Sequence, residues 1–251
     1  MRLVDLSHPW NIHTPAWVGY VPPKIYYWQT ISSSGINAQA IETTLHIGTH
    51  LDSQMHAIPG GDSIGDYDVN WLFGDAVIID ISKEVEEWGI ITPEMLTSQG
   101  VEIKKGDILV YHTGYHDHYV GGNKPDDFNY MCKHPGGYVE LAEWLVDMEI
   151  RYTAFDCGSG DHPMNTHIAE RVPHLVPEFE DKMGKKLHEV FPRDNWYVMH
   201  KIPFAAGCVH VENMGGSIDE VLNRRCKVGC FPWRFDGGEG AMCRMVAFVE
   251  D

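Results

Sequence analysis

Three histidines and one aspartate fall at relative positions 0, 4, 6 and 10 in the run Leu45-His46-Ile47-Gly48-Thr49-His50-Leu51-Asp52-Ser53-Gln54-Met55-His56. Imidazole and carboxylate are ligands that suit zinc, manganese or iron, so these residue types permit a metal centre. An α-helix would keep His46 and His50 on one face but carry Asp52 roughly 240° around the axis. A straight strand would put all of them on one face, yet hold His46 and Asp52 about 20 Å apart, against metal–ligand bonds of about 2 Å. The chain must therefore bend, and Gly48 is the residue that permits it. The expectation is a strand ending near His46, a tight turn, and His50 and Asp52 folding back to meet it.

Three further stretches carry similar residue types. Val198-Met199-His200-Lys201-Ile202 places His200 at the end of an expected strand, and Val209-His210-Val211-Glu212-Asn213-Met214 places Glu212 after a short β-branched run. Spacing alone leaves a surface histidine and an exposed glutamate as the competing reading of this pair. Tyr111-His112-Thr113-Gly114-Tyr115-His116-Asp117-His118 repeats the 0, 4, 6 spacing with histidines. Its composition is that of a solvated loop, which fits a pocket wall better than a metal site.

The elements that must position these groups are short. Ala76 to Ile81, Ile108 to Tyr111, Tyr152 to Phe155, Trp196 to Met199 and Met245 to Val249 have strand length and composition. Thr92 and Pro93 give an N-cap and first-turn proline with Gly100 as a stop, and apolar residues at 138, 141, 145 and 148 mark one face of a helix. Many strands, few helices and no βαβ alternation predict a mixed sheet or barrel with peripheral helices. Pro9 to Pro23 reads as an aromatic-rich loop, and residues 162 to 195 as an irregular excursion from one domain spanning 1–251.

Composition limits the partners. With 19 basic and 36 acidic side chains the formal charge is −17, which disfavours nucleic acid and anionic membrane surfaces. Hydrophobic residues at 43% and charged residues at 22% are ordinary for a globular chain. No run of about 18 apolar residues is present. The start lacks a secretory pattern, and the six cysteines form no CxxC pair. Reduced thiols and a cytoplasmic location are expected.

The run from His46 to His56 resembles the H-x-G-T-H-x-D-[AS]-P-x-H signature of the cyclase-like metal-dependent hydrolases, the family that includes bacterial kynurenine formamidase and isatin hydrolase. Val4-Asp5-Leu6-Ser7-His8-Pro9 resembles the family's start, Asp107 to Gly114 its G-D-x-x-L-x-x-T-G strand, and Asp156-Cys157-Gly158-Ser159-Gly160-Asp161 its D-x-x-S-x-D segment. His200 and Glu212 keep a twelve-residue separation ending in E-N-[LM]. The resemblance implies an α/β fold, a swivelling β/β/α domain with a mixed, barrel-like sheet and peripheral helices, assembled as a homodimer or homotetramer. It implies one or two ions, Zn2+ or Mn2+. His46, His50 and Asp52 would hold one and Asp52, His200 and Glu212 the other, with His56 as the acid/base residue. His167 is the alternative to His200, and His162, His174 and His188 lie in the same lengthened stretch. Trp17 corresponds to a residue that faces substrate. Gln54 stands where the family has proline and adds an amide that could contact substrate.

The implied chemistry is metal-assisted hydrolysis. A bound divalent cation lowers the pKa of water from about 15.7 to about 7, and His56 can shuttle a proton because its ordinary pKa of about 6.5 leaves both forms accessible. Early aromatic residues suggest a small aromatic or cyclic substrate: an aryl formamide, a cyclic amide or a lactam. Lactone hydrolysis, a cyclase or dehydratase reaction, and metal binding without turnover are the competing readings.

Overall fold

In this computed structural model, which describes residues 1–250, the chain forms strands β1 (Arg2–Asp5), β2 (Lys24–Gln29), β3 (Ala38–Glu42), β4 (His50–Asp52), β5 (Phe73–Asp80), β6 (Ile90–Ile91), β7 (Ile108–His112), β8 (Gly136–Gly137), β9 (Tyr152–Phe155), β10 (Val209–Glu212), β11 (Arg224–Pro232) and β12 (Gly240–Val249). Seven of them close a mixed barrel in the order β12-β11-β5-β7-β9-β10-β4 and back to β12. The pairs β5–β7, β7–β9 and β9–β10 are parallel, while β11–β5, β11–β12, β12–β4 and β4–β10 are antiparallel. β1 adds to β12, and β2 with β3 forms a separate hairpin.

The parallel strands explain the near-continuous apolar runs legible in the sequence, because such strands are covered on both faces. Side chains alternate with period two. Ala76, Ile78, Ile108, Val110, Tyr152 and Ala154 face the barrel interior core. Val77, Ile79, Leu109, Tyr111 and Phe155 face an outer layer that contains Leu141 and Leu145 of the helix Val139–Asp147. That helix packs beside the helix Val198–Ala205. A third apolar cluster, with Trp88, Tyr130, Phe179 and Phe191, holds the segment after Asp161.

Several expectations match. The runs at 76, 108, 152 and 245 are strands, Val139–Asp147 is a helix, and Thr92 Oγ1 accepts the Met95 N–H at the start of Pro93–Thr97. Others are corrected. Trp196 to Met199 is not a strand: the helix Val198–Ala205 begins there, because Val198, Met199, Pro203 and Phe204 are buried at helical spacing. No strand ends at His46; the strand is His50–Asp52, which follows the turn. Residues 162–195 are less irregular than expected and include the helices Ile168–Arg171, Leu175–Met183 and Leu187–Val190. The six cysteines are free, with Cys132, Cys157, Cys208 and Cys230 buried. Among the described residues, no helix is long and apolar enough to cross a membrane.

Candidate metal centre and active site

Strand register builds the centre. β4 lies between β10 and β12, with His50 opposite Glu212 and Asp52 opposite Gly240. Gly48 turns the chain into β4 with a left-handed backbone, φ 62°. A side chain at Gly48 would also meet the Trp10 ring at 2.8 Å. Gly240 is required for a different reason: a Cβ there would lie 2.9 Å from the His46 ring. The sequence therefore brings His46, His50 and Asp52 together through a turn and two close backbone approaches.

Asp52 is fully buried and its two carboxylate oxygens face different histidines. Oδ1 lies 2.7 Å from His46 Nδ1 and 3.2 Å from His50 Nε2. Oδ2 lies 3.4 Å from His200 Nε2 and 3.2 Å from His210 Nε2. Burial pushes its pKa up, but the surrounding imidazoles, His46 first, hold it well below the usual carboxylate range. Glu212 closes the group, with Oε1 3.1 Å from His210 Nε2 and Oε2 3.6 Å from His50 Nε2. Its carboxyl is also shifted down: His210 and His50 outweigh burial and the neighbouring Asp52.

His50 shows that a cation fits. Its Nδ1 donates to the Gly48 carbonyl at 2.8 Å, which leaves Nε2 as an acceptor. That nitrogen faces the Asp52 Oδ1 acceptor and is itself buried without a hydrogen-bond partner. Two acceptors 3.2 Å apart repel each other unless a cation lies between them.

His200 and His46 are oriented by outer carboxylates in the manner of metal ligands. Asp161 Oδ2 holds His200 Nδ1 at 2.6 Å, while Asp161 Oδ1 accepts the Met199 N–H at 2.9 Å. Burial lowers the His200 pKa, but Asp161 and Asp52 carry it to about 10. His46 also reaches about 10, since Asp52 and Glu239 overcome its burial. Glu239 contacts His46 Nε2 and accepts from His56 Nδ1 at 2.9 Å. These bonds overcome burial and hold Glu239 at about 2.

Ligand atoms of Asp52, His200, His210 and Glu212 lie within 4.8 Å of one another, as do those of His46, Asp52 and His56. The six proposed histidine and acid positions thus converge on one cavity of about 280 Å³, and Trp17 lines it together with Tyr20. Gln54 does not line it: its amide donates to the Phe204 carbonyl at 2.6 Å and accepts the Asp62 N–H at 3.4 Å. His167 sits on the cavity wall, exposed, with Nδ1 3.2 Å from Glu170. His162 is committed to backbone, donating to the Trp88 carbonyl and accepting the Met164 N–H. Sequence reasoning missed His210, although the alternation His210-Val211-Glu212 on a strand puts both polar groups on one face. It also missed Glu239, which carries no local signal.

The family model for putative cyclases matches residues 4–162. The chain belongs to this family. Kynurenine formamidase of Bacillus cytotoxicus is 28% identical over 162 residues, covering 63% of this chain and 69% of that one. Isatin hydrolase A from Ralstonia solanacearum superposes with a TM-score of 0.77 at 20% identity, covering 99% and 92% of the two chains. A structure described as a potential metal-dependent hydrolase with cyclase activity gives 0.68 at 19%, covering 100% and 98%. These two structures share the cyclase family's fold with this chain.

Proposed function

We propose that this cyclase-family protein is a metal-dependent hydrolase that cleaves an amide-type C–N bond in an aryl formamide, cyclic amide or lactam. The observation that carries this reading is Asp52, whose two oxygens are divided between two sets of imidazoles at the wall of one cavity. Relatives named for hydrolysis of a formamide and of isatin supply the substrate class. In this reading His46, His50 and Asp52 hold one ion, Zn2+ or Mn2+, and Asp52, His200 and Glu212 a second, with His210 in reach of the latter. A divalent cation held there supplies Lewis acidity toward a carbonyl oxygen and acidifies water. The chain's own groups do the rest. Glu239 takes the Nδ1–H of His56, so Nε2 is the nitrogen that accepts a proton from attacking water and returns it to the departing nitrogen. Trp17 and Tyr20 form an aromatic wall for a flat substrate. We further infer that residues 1–251 work as one hydrolase domain in the cytoplasm, assembled as a homodimer or homotetramer.

The test is a substrate panel of formylkynurenine, isatin, cyclic imides and lactones, run with metal analysis of the same preparation. Release of amine or ring-opened acid, dependent on Zn2+ or Mn2+, is the expected result. Turnover of lactones alone would replace the C–N assignment, and metal content without any turnover would leave a binding protein.

A further inference from the structure

The sequence's second histidine run folds into a cluster that the cavity does not use. His112 ends β7, His116 lies one turn beyond it, and Asp156 follows β9. All three are buried, which corrects the solvated loop expected from composition, and none lines the cavity of the main centre, so the run is not its wall. Each imidazole has its outer nitrogen occupied by a carboxylate. His112 Nδ1 lies 2.8 Å from Asp80 Oδ1, and His116 Nε2 lies 3.3 Å from Asp219 Oδ2. The inner nitrogens, His112 Nε2 and His116 Nδ1, face each other at 3.2 Å. Asp156 Oδ2 completes a triangle, 3.1 Å from His116 Nδ1 and 3.6 Å from His112 Nε2.

We propose that His112, His116 and Asp156 bind one zinc ion at a second site, separate from the hydrolytic centre and independent of the reading given to it. Zinc bonds of about 2.0–2.1 Å in tetrahedral array put donor atoms roughly 3.3 Å apart, and the three observed edges bracket that distance. The outer carboxylates reproduce the carboxylate–histidine–metal arrangement that fixes a ligand's tautomer and raises its basicity. Asp156 is pre-set: Oδ1 accepts from Thr113 N–H at 2.7 Å and Thr113 Oγ1 at 2.8 Å, and Oδ2, beside the two inner nitrogens, accepts from Gly114 N–H at 2.9 Å and from His116 N–H at 3.4 Å. Asp219, 61% exposed, supplies the side from which an ion enters. The ion would tie the ends of β5, β7 and β9 to the turn Ile218–Val221.

Zinc per full-length chain, measured by elemental analysis after equilibrium dialysis, tests the site. The parent should carry one ion more than His112→Ala/His116→Ala. Asp52→Ala/His200→Ala, which removes ligands of the main centre, should retain one ion. A double histidine variant with the parent's zinc count, or a main-centre variant with none, overturns the proposal and leaves a hydrogen-bonded network. Asp219→Asn covers the case in which the buried variants fail to fold. It should weaken that zinc about 10- to 100-fold in a chelator competition; an unchanged affinity also overturns the site.

Discussion

At the scale of single residues, the proposed reaction divides binding from proton transfer. His56 contacts Glu239 and sits 4.0 Å, ring to ring, from His46. His56→Ala should therefore keep its metal and lose turnover, by roughly 10²- to 10⁴-fold in kcat. Metal analysis beside steady-state kinetics checks this, and a variant with the parent's kcat removes His56 from the mechanism. A second residue-scale consequence concerns acid. His162 donates at one nitrogen and accepts at the other, so a second ring proton would oppose the Met164 N–H; burial lowers its pKa to about 3. Buried His134 is lowered to about 4. Both bind fewer protons folded than unfolded. Their contribution is complete above the unfolded pKa of about 6.5 and is lost as pH falls toward the folded values. The unfolding free energy from urea titrations should decline between pH 6.5 and pH 4, by up to roughly 1.4 kcal/mol per pH unit for each histidine. His162→Gln, which keeps a donor and an acceptor but does not titrate, should flatten that slope. An unchanged slope assigns the acid sensitivity elsewhere.

At the scale of elements, Asp161 joins two tasks. It accepts the Met199 N–H in the first turn of the helix Val198–Ala205 and orients His200 on the same helix. Asp161→Asn should lower metal affinity about 10- to 100-fold while the barrel remains folded, as a chelator titration with far-UV circular dichroism would show. Loss of fold together with metal would mean that the carboxylate acts mainly on the helix. This helix also marks the limit of what the chain spelled out locally. Buried parallel strands announce themselves because both faces are apolar, and the bend at Gly48 follows from ligand spacing alone. Val198–Ala205 contains an internal Pro203 and opens on the run Trp196-Tyr197-Val198-Met199, so local composition favoured a strand and tertiary burial chose a helix. Glu239 reaches His46 and His56 only because β12 pairs with β4, a long-range fact that no local window contains. His210 was legible, since strand alternation already placed it beside Glu212.

At the scale of the whole molecule, a charge of −17 opposes self-association at low salt, yet the hairpin of β2 and β3 exposes apolar side chains. Trp28 is 75% exposed, and Tyr26, Tyr27, Ile31, Ile36 and Ile41 are exposed around it. Exposed large apolar side chains concentrated on one hairpin fit a contact surface, and the proposed homo-oligomer supplies its occupant. Screening by salt then favours assembly, because the repulsion between copies acts over about 10 Å at 0.1 M ionic strength while the apolar contact does not depend on it. Trp28→Asp/Ile36→Asp adds two charges to that patch at positions outside the barrel core. In light scattering after gel filtration, the parent should elute as a dimer or tetramer at 0.15 M salt and the variant as a monomer with an unchanged circular dichroism spectrum. A monomeric parent at micromolar concentration would show that the hairpin faces water, and a variant that stays assembled would move the interface to another face of the barrel.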